Sequence, residues 1–423
     1  MEDITNEQIK APQKKKYTMT TYALQSTHGL NNIVTIFVTT FLISYIYSIS
    51  ENYVLNIGLF YVFNYIAMGI GYFSISTLID KTNRVCFYRL AIVVRALFIL
   101  SVIFVGESLA KFVALAGLLH GFSESCYWSS YNLMKNELVS KSLIKKYSIN
   151  QMIIDKAVNI IIPVILGSLI DAESFKSSAI IVLIIAVIEM ILSMLIKSKR
   201  PKDSKFDFKG FIQRTKALGE KKCLVTDCIL GGGIYGFITT VNPMATIMVM
   251  YAFDSNFSLG VLTSVFSCIA MIFVFSISKF TKAGKRSWLF VIAALTPFLS
   301  SVLLVLNVSK VMVAIFNCSQ IVLSMVHSYT YDVSRNFVLK KLGMYDDIAE
   351  YQCAIECFMA VCRVFAFLLI VGAGAIGSVW GTEGIFVAAK IMTVVSTLSI
   401  TAFNFKLLAY EKKLQKFDLA KSL

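Results

Sequence analysis

The sequence predicts an all-α integral membrane protein with twelve transmembrane helices in two similar halves. Three observations predict it. Of 423 residues, 57% are hydrophobic and only 15% charged, and the mean hydropathy is +0.72, which excludes an ordinary soluble domain. Apolar stretches of about twenty residues, each long enough to cross a bilayer core of about 30 Å, recur from end to end. Finally, the stretch from Val62 to Arg89, VFNYIAMGIGYFSISTLIDKTNRVCFYR, returns as VFSCIAMIFVFSISKFTKAGKR from Val265 to Arg286. Val-Phe-x-x-Ile-Ala-Met opens both copies and Phe-Ser-Ile-Ser before a basic turn closes both, so the chain carries an internal repeat about half its own length apart.

In chain order, an N-terminal tail over 1–23 carries Lys10 and the run Lys14, Lys15 and Lys16. The apolar segment behind it is too long for a secretory signal and lacks a small-residue cleavage site. Spans are predicted at 24–48, 54–79, 88–106, 112–134, 150–170 and 177–196, making an N-terminal bundle over 24–196. A basic linker occupies 197–222. Six further spans, at 223–252, 258–278, 288–307, 311–333, 353–377 and 384–406, make a C-terminal bundle over 223–406, and a tail runs over 407–423.

Charge fixes the orientation. Alternate connections place 33 of the 40 Lys and Arg residues on one side, with Lys111, Lys176 and Lys310 opposite and Arg95, Lys156, Arg363 and Lys390 inside spans. The positive-inside rule then makes both termini and the linker cytoplasmic, in the plasma membrane. The net charge of +15 is thereby a matter of topology, and no nucleic-acid partner is expected.

In the linker, Phe206, Phe208, Phe211 and Ile212 alternate with basic residues. This pattern suits either an amphipathic helix on anionic lipid headgroups or a solvated tether. The nine cysteines lie in spans or on the cytoplasmic side and form no disulfide framework. Cys353 and Cys357 share a helical face, but no further ligands are nearby, so packing is expected there rather than a metal. No cofactor is implied.

Ionisable and polar residues within spans point to function, because each is costly there. The first span carries His28, Asn31, Asn32 and Thr35; the fourth His120, Glu124, Tyr127, Trp128 and Tyr131; the seventh Tyr235 and Asn242; the tenth Asn317, Gln320, His327, Tyr331 and Asp332. Within the fourth and tenth spans these residues recur at three- and four-residue steps, one face of a helix. Every third helix therefore presents a polar stripe, as expected if helices 1, 4, 7 and 10 enclose an aqueous path. The offset between Val62 and Val265 carries Glu124 onto His327, so the two are expected to face each other across that path as proton-coupling candidates, alongside Asp332 and Glu356. Arg95, Lys156 and Lys390 lie about two turns from span ends and are expected to snorkel. Glu189 is central in an apolar span, as one half of a structural pair or as a functional group. Arg363 is central too, cannot plausibly lose its proton, and wants an acidic partner or an anionic substrate.

The chain resembles transporters of the major facilitator superfamily over essentially its whole length. The resemblance implies two pseudo-symmetric six-helix bundles with helices 1, 4, 7 and 10 lining the cavity. The family's signature between helices 2 and 3 is kept in part: Asp80, Lys81 and Arg84 match, while Asn83 stands where glycine is usual. In the second copy Gly284, Lys285 and Arg286 match but the acid is missing. By this resemblance Asp80, Lys81, Arg84, Lys285 and Arg286 form a cytoplasmic gate that locks the bundles together. The family's antiporter motif in helix 5 is partial, with Pro163 and Gly167 present and Ile162 before the proline.

The expected function is secondary active transport of a small organic solute by alternating access, proton-coupled, with export slightly favoured. The alternatives are uptake of a polar nutrient, flipping of a lipid, or a non-transporting receptor or scaffold. No nucleophile–base pair, metal cluster or catalytic loop supports an enzyme. The expected partners are the solute, protons and the bilayer, with the chain a monomer.

Overall fold

The computed structural model describes residues 17–79, 82–140, 143–198, 206–219, 221–280, 286–320 and 347–422, with side chains except at 145, 221, 273–280, 286–290, 293, 294, 348 and 411–422. A helix coincides with each predicted span. They are α1 Met19–Ile49, α2 Tyr53–Leu78, α3 Arg84–Val105, α4 Leu109–Leu138, α5 Ile144–Ala172 and α6 Phe175–Ser193. After a linker helix, Phe208–Ala217, come α7 Lys221–Phe253, α8 Asn256–Phe280, α9 Arg286–Leu306, α10 over 310–320, α11 Ile348–Gly377 and α12 Gly381–Ser422. The tenth is described only to residue 320.

Short polar side chains start several of these helices by accepting from backbone N–H groups that the first turn leaves free. Thr18 caps α1, Asn52 caps α2, Asn83 caps α3 and Ser174 caps α6. The α3–α4 and α11–α12 turns are single 3₁₀ turns flanked by Gly106 (φ 55°) and Gly381 (φ 70°), a backbone region that glycine enters without strain. Within α1, Phe37–Leu42 is π-helical, with Phe37, Val38, Phe41 and Leu42 buried. Such π-turns interrupt the ladder where a helix serves more than packing.

The helix packing repeats itself. In the first half α1 packs on α5 and α6, and α3 on α6; in the second half α7 packs on α11 and α12, and α9 on α12. Adding six to each helix number in the first set gives the second. The two packings that join the halves, α2 with α11 and α5 with α8, exchange under the same operation. The repeat seen in the sequence of α2 and α8 is thus a repeat of position. Small residues allow these approaches: methyl groups added at Gly117 and Gly121 of α4 would run into the Phe60 and Asn64 carbonyls of α2, and one at Gly260 of α8 into the Pro163 carbonyl of α5.

The core is not evenly shared. Helix parity puts both described chain ends on one face of the molecule. Toward the opposite face a single apolar cluster spans both halves, with Phe41, Phe60 and Tyr61 from the first and Val241, Met248, Phe367 and Ile370 from the second. Toward the terminal face the first half has its own cluster around Ala23, Ile75, Tyr88 and Met134. The second half has another around Phe211, Cys223, Tyr351 and Ile355. Among the described residues one apolar cluster is shared between the halves on one side, whereas on the other each half has its own cluster and the two meet along α2 and α11, where Cys357 approaches the Gly69 carbonyl at 3.9 Å.

Candidate functional site

The stripe on α4 leads to a buried charge cluster. Arg95 of α3, 1% exposed, lies 3.3 Å from Glu124 of α4 and 3.4 Å from Glu189 of α6. Its guanidinium also covers the Tyr127 ring at 5.0 Å. The second oxygen of Glu124 accepts from the Trp128 indole at 2.9 Å. His120 stands 4.0 Å from Glu124 and pairs through Nδ1 with Asn64 Oδ1 at 2.8 Å, between the rings of Phe60 and Phe98. Arg95 therefore does not snorkel as the sequence reading expects. With a carboxylate on either side, remaining buried costs less than stretching to an interface two turns away. Glu189 is its structural partner, and His120 sits in the α2–α4 packing rather than on an open wall.

A second cluster lies nearer the terminal face. His28 of α1 bonds the Tyr127 hydroxyl, stacks on Tyr131 at 4.3 Å, and meets the Trp128 ring edge-on at 6.0 Å. Its Nε2 is 3.9 Å from Asp155 of α5, whose carboxylate is 31% exposed and also accepts from Gln151. Asn32 donates to the Asp155 carbonyl, Thr35 to the Asn31 carbonyl, and the Asn31 side-chain oxygen is buried without a partner. Asp155 is the residue the sequence reading missed. An acid within a span is costly, and that alone marks Asp155 in the sequence.

The second half supplies a cation. Arg363 of α11 lies over the Tyr65 ring of α2 at 5.1 Å, with Nη1 3.9 Å from Met68 Sδ. Its Nε has no hydrogen-bond partner and, among the described residues, no carboxylate forms an ion pair with it. The Tyr65 hydroxyl reaches Thr239 of α7. Glu356 and Tyr235 are half-buried, Asn242 is exposed, Asn317 donates to the Val313 carbonyl, and the Gln320 amide nitrogen is buried without a partner. Asp227 is 1% exposed and accepts from the Tyr351 hydroxyl at 2.7 Å, so it is internal rather than interfacial. His327, Tyr331 and Asp332 lie outside the described residues.

A model described as the Major Facilitator Superfamily matches residues 25–344. The chain belongs to the major facilitator superfamily. Among solved structures it is similar to a mutant form of the nucleoside transporter NupG. That match has TM-score 0.72 and 13% identity, and covers 92% of this chain and 99% of that one. A POT family transporter in complex with 5-aminolevulinic acid matches with TM-score 0.65 and 14% identity, over 92% and 96% of the two chains. At these identities the likeness is one of fold. No curated protein matches the sequence. Membership of this superfamily makes the chain a multi-pass membrane protein built for transport.

Of the superfamily gate expected from the sequence, Asp80, Lys81 and Lys285 lie outside the described residues, and Arg286 opens α9 with its side chain undescribed. Arg84 pairs with Glu137 at 2.9 Å, at the end of α4 in its own half. Its partner here is thus internal to one half, where α3 and α4 are neighbours. On the opposite face polar groups also join the halves. Asp171, ending α5, accepts from the Ser255 hydroxyl at 2.7 Å and from the Asn256 and Phe257 backbone N–H groups at 3.0 and 2.9 Å. It caps α8 from across the seam, where a carboxylate complements the helix N-terminus. Ser44 of α1 bonds the Asn256 side chain there, and Asn52 donates to the Gly374 carbonyl at 3.0 Å.

Proposed function

We propose that this chain is a proton-coupled secondary transporter of a small organic solute. It works by alternating access in the plasma membrane, with both termini cytoplasmic and bundles over 24–196 and 223–406. The observation that carries the reading is the uneven seam: one core shared between the halves toward the outer face, separate cores toward the terminal face. Apolar packing divided unequally between the two faces suits a carrier whose halves rock against each other. A receptor or scaffold does not need it, and nor does an enzyme, which would need reacting groups around a fixed site. The solute and the proton are its working partners. The direction of flow follows the gradients, so the partial antiporter motif around Pro163 need not impose export.

Proton coupling rests on charge counting. Glu124 and Glu189 enclose one guanidinium, Arg95, so the cluster carries a surplus negative charge in a medium where unpaired charge is costly. A proton is the smallest cation able to offset it. Glu189 is fully buried, whereas the Glu124 side chain is 12% exposed and borders the half-buried Trp128. Glu124 is accordingly the group that exchanges the proton with the cavity. In liposomes, Glu124→Gln should abolish accumulation driven by a pH gradient while sparing exchange of solute for solute. Wild-type accumulation in that variant would remove Glu124 from the coupling path.

A further inference from the structure

The coupling cluster accounts for the charge of the first half and leaves that of the second without a use. Arg363 lies midway along α11, held on Tyr65 and Met68 of α2 at the junction of the halves. A guanidinium keeps its proton under all ordinary conditions, so here it is a permanent positive charge at mid-membrane depth. Its surroundings are aromatic and thioether. These orient a cation through the ring face but do not neutralise it.

The neighbouring elements supply no counter-charge among the described residues. From α2 the group meets Tyr65 and Met68; from α7, Gly232 and Gly236 pack against the neighbouring Cys362. From α4 the nearest acid is Glu124, already engaged by Arg95 and Trp128. On α11 itself Glu356 is two turns away. Asp155 of α5 lies by His28, Asp227 accepts from the Tyr351 hydroxyl, and Lys390 lies by Phe386 on α12. His327 and Asp332 of the tenth span lie outside the described residues.

We infer that the solute is a small organic anion, a carboxylate in the simplest case, held by Arg363 and carried together with one proton in an electroneutral cycle. This rests on the transport reading above and adds the substrate class to it. The reasoning is a balance of two sites. Counting these two sites alone, the empty carrier holds the surplus negative charge of the Arg95–Glu124–Glu189 cluster and the opposite charge of Arg363. With both anion and proton bound, each site is neutral by itself. With only one of the two bound, a net charge must be moved through the low-dielectric interior while the halves rock, and such charges are costly there. Only the empty and the doubly loaded carrier reorient, which couples anion to proton one to one. The same balance explains why Glu124→Gln should retain exchange. Its coupling cluster is always neutral, so the anion-loaded form moves freely, while the empty form keeps the uncompensated charge of Arg363 and does not return.

The test uses purified full-length protein, with benzoate, lactate and pyruvate as anionic probes and uridine and glucose as uncharged ones. At least one monocarboxylate should raise the melting temperature of the wild type and fail to do so for Arg363→Gln, whose unliganded melting temperature stays that of the parent. In proteoliposomes the stabilising monocarboxylate should accumulate under an inward proton gradient at a rate unchanged when valinomycin and potassium impose a membrane potential. Stabilisation by none of the monocarboxylates overturns the inference, as does potential-dependent uptake. It also falls if unliganded Arg363→Gln melts lower and Asp332→Asn or Glu356→Gln restores it, since Arg363 would then be half of a structural pair. Uridine or glucose accumulating under the proton gradient would keep the transport reading and remove only the anion. A carrier that moves none of the five probes, yet is stabilised by a carboxylate through Arg363, would keep the site and remove the transport reading.

Discussion

Arg95 shows how a single buried charge organises its half of the protein. One guanidinium ties α3 to both α4 and α6, and its two carboxylates sit on helices distant in sequence. Removing it leaves two acids facing each other without a counter-ion, a change that costs about 3–5 kcal/mol in buried pairs. Arg95→Gln should therefore lower the melting temperature markedly, and adding Glu189→Gln should recover much of the loss. A snorkelling arginine would predict an unchanged melting temperature. The sequence made each of these residues visible as an ionisable group in a span, but not the triangle, because nothing in a one-dimensional pattern says that α3 packs on α6. Tyr65 illustrates the same limit. It lies outside the polar stripes and reads as a plain α2 residue, yet it carries Arg363 on its ring.

At the scale of elements, hydropathy placed the spans, since a membrane leaves each backbone polar group to be satisfied within its own segment. Ends were missed where helices run past the bilayer, as α5 does in beginning at Ile144 and α12 in reaching Ser422. The linker helix is the instructive case. Its interleaved aromatics suggested a lipid surface or a tether, and the structure instead turns Phe211 fully inward among Cys223, Leu224, Tyr351 and Met359. Asp207 caps it, Glu350 accepts from the Asp207 N–H at 2.9 Å, and Arg214 binds Asp347 at 2.7 Å, so the helix is anchored to α7 and α11. Phe208 reaches the other half, edge-on to Phe73 of α2 at 5.6 Å. Lys209 and Lys216 remain exposed, free to meet headgroups. Phe211→Ala should cost about 3–5 kcal/mol of docking, read as faster hydrogen exchange across 206–219 in detergent. Unchanged exchange there would return the linker to a tether.

For the whole molecule, the repeat between Val62 and Val265 foretold the architecture, since two similar apolar halves that must pack together favour an arrangement in which equivalent helices meet equivalent neighbours. What it could not foretell is the state in which the halves rest, because both inward- and outward-facing arrangements satisfy the same pattern. The seam between Ser44 and Asn256, opposite the terminal face and next to the Asp171 cap on α8, is where the proposed cycle is most exposed to test. Alternating access requires this seam to part once in every cycle. The measurement is a reversible cross-link: Ser44→Cys with Asn256→Cys, in a background with the nine native cysteines replaced and transport retained. Oxidation should join α1 to α8 and stop transport, and reduction should restore it. Transport that continues at the parent rate with the bond intact would contradict alternating access through this seam.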